Sequence, residues 1–277
     1  MHPLPRAIVT RPAKEAQAWV EDLRARGVDA AALPLITIAA VADPSAVAHA
    51  WSRLGQYDAL MFVSGNAVSH FFAQRPAEVA NPFGEPACTL RAWVTGPASQ
   101  SALQACGVPP EAIDAPAIDG AQFDSEALWR TVRAYVQPGY RLLIVRGNAT
   151  SPASAARAAA VEPTPQGVGR DWFAQQVQAA GGVVDYVVAY ERRPPVWDAA
   201  QIAWIAQAAC DGSVWILSSA EAVAYLAASL PQQDWAQARA VATHPRIAQA
   251  ARQAGFGRVQ ESRPLLAEVV ASIESGL

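Results

Sequence analysis

"ALMFVSGNAVSHFF" at residues 59–72 and "VWILSSAEAVAYLA" at residues 214–227 are two copies of one pattern. In each, an apolar run stops at a small polar residue, and Ala-Val then opens an apolar helix. Ser64 and Ser219 hold matching places. Other stretches recur in the same order. "AIVTRP" at 7–12 is echoed by "LIVRG" at 143–147, and "RAWVTGPASQSALQACGV" at 91–108 by "ARAVATHPRIAQAARQAGF" at 238–256. Gly107 and Gly255 close the matching helices of that last pair. The order of these repeats predicts two similar halves joined head to tail, although strand–helix units resemble one another in general.

Working outward from the repeats, apolar runs predict strands near 7–10, 33–38, 58–64, 91–95, 112–115, 141–146, 183–190, 213–218, 239–243 and 257–261. Helical spacing predicts helices near 12–26, 45–54, 66–74, 98–106, 124–136, 170–181, 199–209, 221–229, 246–254 and 264–275. This alternation is that of an α/β protein with mostly parallel sheets. One segment interrupts it. Residues 148–168, rich in Ala, Pro, Ser and Thr, read as a loop inserted at the edge where α/β folds bind ligands, either a lid or a function-neutral insertion.

The composition narrows the function classes. The chain has 277 residues, 52% hydrophobic and 16% charged, enough for a substantial core in one or two domains. No apolar run reaches the length of about 18 residues that a membrane span needs. The N-terminus reads as a first strand and not as a secretory signal. Cys88, Cys106 and Cys210 are widely spaced, which predicts reduced thiols in a cytoplasm and no metal site. The net charge of −3 argues against a nucleic-acid partner. Lys14 is the sole lysine, so any anion would be held by guanidinium groups or backbone N–H groups.

There is no dinucleotide fingerprint, phosphate loop, nucleophile elbow or zinc-protease motif. The four histidines lie far apart and read as surface or core residues. What remains is a set of polar residues where strands feed helices: Thr10-Arg11, Ser64-Gly65-Asn66, Gly96 with Ser99, Arg146-Gly147, Ser218-Ser219 and Thr243-His244. Each is either an ordinary helix cap or part of an anion site at a helix N-terminus. Six such turns together point to a ligand carrying several carboxylates or phosphates.

The stretches "IVTRP" (8–12), "VSGNAV" (63–68), "VTGPASQSALQACG" (94–107), "LIVRG" (143–147), "GRDWFAQQVQAAGG" (169–182), "VVAYERR" (187–193) and "LSSAEAV" (217–223) resemble the uroporphyrinogen-III synthase family. The resemblance covers nearly the whole chain. It implies two flavodoxin-like α/β domains with parallel sheets, joined by a two-stranded antiparallel linker. Residues 1–35 with 194–277 would form one discontinuous domain, residues 40–188 an inserted one, and 36–39 and 189–193 the linker. The duplicated turns would then face each other across a cleft. The implied activity is a cofactor-independent, metal-free lyase reaction of haem biosynthesis, by a cytoplasmic monomer. It cyclises hydroxymethylbilane, a linear tetrapyrrole with eight carboxylates received from the preceding pathway enzyme, with inversion of ring D and loss of water. The resemblance assigns Tyr190 as the acid assisting hydroxyl loss. It gives Arg11, Ser64, Asn66, Gly96, Ser99, Arg146, Arg170, Ser219, His244 and Arg246 as substrate-binding residues. "HPRI" at 244–247 departs from the family's Gly-Pro-Thr-Thr, losing two hydroxyls and adding Arg246. The competing expectation is a non-catalytic two-lobed module that closes on a small anion.

Overall fold

The computed structural model describes residues 5–85, 88–116, 124–149 and 170–275, with only the backbone of Arg170 and Asp171. The chain forms two compact units, Met1–Thr37 with Arg193–Leu277 and Ile38–Arg192.

The first unit is built on a five-stranded sheet. It contains β1 (Ala7–Val9), β2 (Ala30–Ala32), β9 (Val214–Leu217), β10 (Arg239–Ala242) and β11 (Arg258–Glu261), in the order β11-β10-β9-β1-β2, all parallel. Its helices are α1 (Ala13–Ala25), α7 (Ala199–Ala208), α8 (Ala220–Ser229), α9 (Pro245–Gln253) and α10 (Leu266–Glu274). Strands buried on both faces read as continuous apolar runs, which is why "VWIL" carries no alternation. Ala7, Val9, Val214, Ile216 and Val241 meet Ala16, Val20 and Leu23 of α1 and Val269 and Ile273 of α10. Trp215 packs edge-on to Trp235 and Phe256, which are stacked 5.0 Å apart.

The second unit carries a six-stranded sheet of β3 (Thr37–Ala40), β4 (Ala59–Phe62), β5 (Arg91–Val94), β6 (Ile113–Asp114), β7 (Arg141–Ala149) and β8 (Val183–Arg193), in the order β3-β8-β7-β4-β5-β6. From β8 to β6 every pairing is parallel. One face packs Leu60, Phe62, Val94, Leu143 and Val145 against α2 (Ser45–Ser52), α3 (Gly65–Ala73) and α4 (Pro97–Ala105). The other packs Met61, Trp93, Leu142 and Ile144 against α5 (Ser125–Val132) and α6 (Arg170–Ala179). The β5–β6 edge is held by Asp114, which accepts both Arg91 Nε at 2.8 Å and Trp93 Nε1 at 2.9 Å.

The strand expected over 33–38 is not a single strand. β2, which pairs with β1, ends before it at Ala32, and of the expected residues only Thr37 and Ile38 lie in a strand, β3, beside β8 in the other sheet. Pro34 lies between the two and has no N–H to give a ladder. The helix expected over 124–136 is shorter, ending at Val132. Of the inserted segment 148–168, residues 150–168 lie outside the described residues.

Candidate active site

In a parallel sheet every strand ends at the same edge, so residues that follow neighbouring strands come together. In the first unit β10, β9 and β1 are neighbours, and they bring His244 with Arg246, Ser219 and Arg11 to one edge. In the second unit β7, β4 and β5 are neighbours, and they do the same for Gly147, Ser64 with Asn66, and Gly96 with Ser99.

Several of these residues cap helices. Ser64 Oγ accepts the Ala67 N–H at 3.2 Å, and Ser219 Oγ accepts that of Ala222 at 3.3 Å. His244 fills the same role through Nδ1, which accepts the Arg246 N–H at 3.1 Å. An imidazole therefore caps α9 in the "HPRI" turn. At α4 the cap position is Gly96, which offers no side chain, and Ser99 is buried in the first turn. Thr10 and Thr243 turn inward, donating to the Ile216 and Leu217 carbonyls at 2.6 and 3.4 Å. Their hydroxyls extend the ladder and are taken up by the sheet.

The Arg11 guanidinium lies over the Trp19 ring, 4.2 Å from its centroid, and donates to Glu15 at 3.3 Å. Its Nε is buried and has no partner among the described residues. Arg146 lies on the β7 face of Leu142 and Ile144 and covers the Tyr186 ring at 4.6 Å. It is thus on the opposite face from Tyr190, which belongs to the cluster of Leu143 and Val145. The Arg170 side chain lies outside the described residues.

Tyr190 is 3% exposed, yet its hydroxyl reaches the strand-end turn and meets Ser64 Oγ at 3.1 Å. Two residues that sequence reading passed over complete its surroundings. The His70 ring lies near-parallel to Tyr190, with centroids 5.7 Å apart, and burial lowers the His70 pKa below its ordinary 6.5. Gln74 Nε2 donates to the Ala189 carbonyl at 2.7 Å. His70 and Gln74 are four residues apart and share one stripe of the helix that follows Ser64. That stripe was visible in the sequence, whereas the identity of the strand it faces was not.

A cavity of 780 Å³ lined by Leu90, Arg91, Val108 and Glu111 sits at the opposite end of β5 and holds none of the expected site residues. Among the described residues no cluster of His, Cys, Asp and Glu could hold a metal ion. All three cysteines are free, and no described helix is long and apolar enough to cross a membrane.

Comparison with known proteins agrees with this architecture. The family model for uroporphyrinogen-III synthase HemD matches residues 17–271. No curated protein sequence matches significantly. Among solved structures, a mutant uroporphyrinogen III synthase from the extremely thermophilic bacterium Thermus thermophilus shares 16% identity, with 98% of each chain covered and a TM-score of 0.55. Uroporphyrinogen-III synthetase from Helicobacter pylori shares 12% identity over 98% of this chain and 99% of its own, at a TM-score of 0.53. Those likenesses carry the fold, and the family match carries the rest: the chain belongs to the uroporphyrinogen-III synthase family, the lyases that cyclise hydroxymethylbilane in haem biosynthesis.

Proposed function

We propose that Tyr190 is the proton donor for the loss of the substrate hydroxyl, and that the strand-end turns bind the substrate carboxylates. The observation that carries this reading is the 3.1 Å contact between the Tyr190 and Ser64 hydroxyls. When Ser64 donates to the phenolic oxygen, the Tyr190 proton is left pointing elsewhere, and negative charge developing on that oxygen is already solvated. The proton passes to the departing hydroxyl, which leaves as water while the adjacent pyrrole nitrogen supplies the electron pair that forms an azafulvene. Ring D attacks this electrophile through its substituted α-carbon, forming a spiro intermediate. The bond from that carbon to the ring C methylene then breaks, leaving an azafulvene on ring C, and the free α-carbon of ring D attacks it to close the macrocycle with ring D inverted. A final loss of a proton restores the phenol.

Catalysis of this kind rests mainly on orientation, and the carboxylates far from the reacting carbon supply the binding energy for it. Support for binding comes from the guanidinium of Arg11, whose Nε has no partner among the described residues, from the start of α4 at Gly96 and Ser99, which has no side-chain cap, and from the exposed His244 and Arg246. Ser64, Asn66 and Ser219 contribute through their hydroxyl, amide and helix-start N–H groups. Arg146 and Arg170 stand as clamps on the family resemblance alone. The same reading makes the protein a cytoplasmic monomer, in keeping with its free thiols. It also makes the protein the receiver of an unstable product handed over by the preceding enzyme. The domain boundaries near residues 36–39 and 189–193 are offered as its hinge.

The test is to supply freshly generated hydroxymethylbilane, oxidise the products and separate the uroporphyrin isomers. Isomer III should predominate, and Tyr190→Phe should lower kcat by about 10- to 100-fold, at or below the lower end of typical general-acid effects. Isomer I alone would replace the synthase by an anion-binding module. Full turnover in Tyr190→Phe would remove Tyr190 from the mechanism.

A further inference from the structure

The pairing of β7 with β8 contains an irregularity at the site. Arg146 pairs with Val188 and Gly147 with Tyr190, so Ala189 has no partner on β7. This is a β-bulge, and it puts two successive residues on one face. Val187, Ala189 and Tyr190 accordingly lie in the same core cluster, where strict alternation would have sent Tyr190 to the other side.

Two features hold the result in place. The Tyr190 ring lies directly over the α-carbon of Gly147. A Cβ on Gly147 would stand 2.7 Å from Cε1 of Tyr190 and closer still to Cζ and Cε2. Gly147 is not among the glycines with positive φ, so the backbone conformation does not require a glycine, and the ring does. The bulged carbonyl of Ala189 is bound by Gln74 Nε2, which also donates to the His70 carbonyl at 2.7 Å. Gln74 therefore ties the end of α3 to the bulge, and Ser64, at the start of the same helix, meets the Tyr190 hydroxyl at 3.1 Å.

We propose that Gly147 and Gln74 are positioning residues for Tyr190. Gly147 leaves the space in which the ring lies, Gln74 pins the bulge that turns the ring into it, and together they deliver the hydroxyl to Ser64. The catalytic side of this proposal rests on the reading of Tyr190 as proton donor.

The experiment uses the full chain with tyrosine labelled with ¹³C at Cζ, and the Tyr190 resonance is identified by its loss in Tyr190→Phe. Gly147→Ala should move that resonance and lower kcat to about the level of Tyr190→Phe, with KM changed by less than about twofold. Added to Tyr190→Phe, Gly147→Ala should cost nothing further, because the hydroxyl it displaces is already gone. Gln74→Met keeps the length and loses the donor. It should move the same resonance with a smaller fall in kcat, and it carries the test if Gly147→Ala does not fold. An unmoved resonance in the folded variants, or an equal loss in the wild-type and Tyr190→Phe backgrounds, would overturn the positioning role. A moved resonance with full turnover in Tyr190→Phe would uphold the positioning and discard the donor reading.

Discussion

The imidazole of His70 shows how a single side chain ties the site to stability. It is half-buried beside Tyr190, and burial disfavours its charged form, so its folded pKa lies below 6.5. On acidification the unfolded chain takes up the proton first. The contribution of His70 is complete above about pH 6.5 and is lost as the pH falls through the lowered folded value. Thermal melts at pH 7, 6 and 5 should show the midpoint of His70→Gln declining less steeply than that of the wild-type protein. Parallel declines would mean that the ring is not desolvated. Arg11 illustrates the limit of a single-residue reading. The family resemblance offered it as a substrate-binding residue, and only the structure showed that its guanidinium lies over Trp19 with Nε unpartnered among the described residues.

At the scale of elements, strands and helices were legible because central strands such as ALMF and VWIL are uninterrupted apolar runs and the helices carry apolar stripes. Irregular features were not. The break at Pro34 and the bulge at Ala189 depend on which strand becomes a neighbour, and local pattern carries no record of that. Capping lies between the two cases. The Ser219 cap on α8 was expected from its place before the helix, and Ser219→Ala should cost about 1 kcal/mol in denaturant unfolding. The Thr243-His244 turn was read as either a cap or an anion site, and only the structure showed that the imidazole of His244 is the cap on α9. His244→Ser keeps an acceptor at that position and should change stability by less than about 0.5 kcal/mol. A large loss would show that the ring makes contacts beyond the Arg246 N–H.

On the scale of the whole molecule, each unit has its own core, the first around Val9, Leu23 and Ile216 and the second around Phe62, Phe71 and Val145. Phe71 stacks on Trp51 at 4.8 Å and has no exposed surface. Phe71→Ala should cost about 3–5 kcal/mol. Amide hydrogen exchange should show that loss across Ile38–Arg192 and leave protection of the remaining unit nearly unchanged. An equal loss of protection in both units would mean that the molecule unfolds as one cooperative block.

By itself the sequence determined the α/β class, most of the order of elements and the family. All of these are written locally, in the period of apolar residues and in the polar stop after each strand. It also singled out Tyr190 and Ser64, 126 residues apart, without a reason for them to meet. The tertiary structure alone decided that they touch, that Arg146 lies on the other face, and that Gly147 and Gln74 frame the phenol. The physical reason is that contact across a sheet depends on strand order and register. A one-residue bulge reverses the facing of every residue after it.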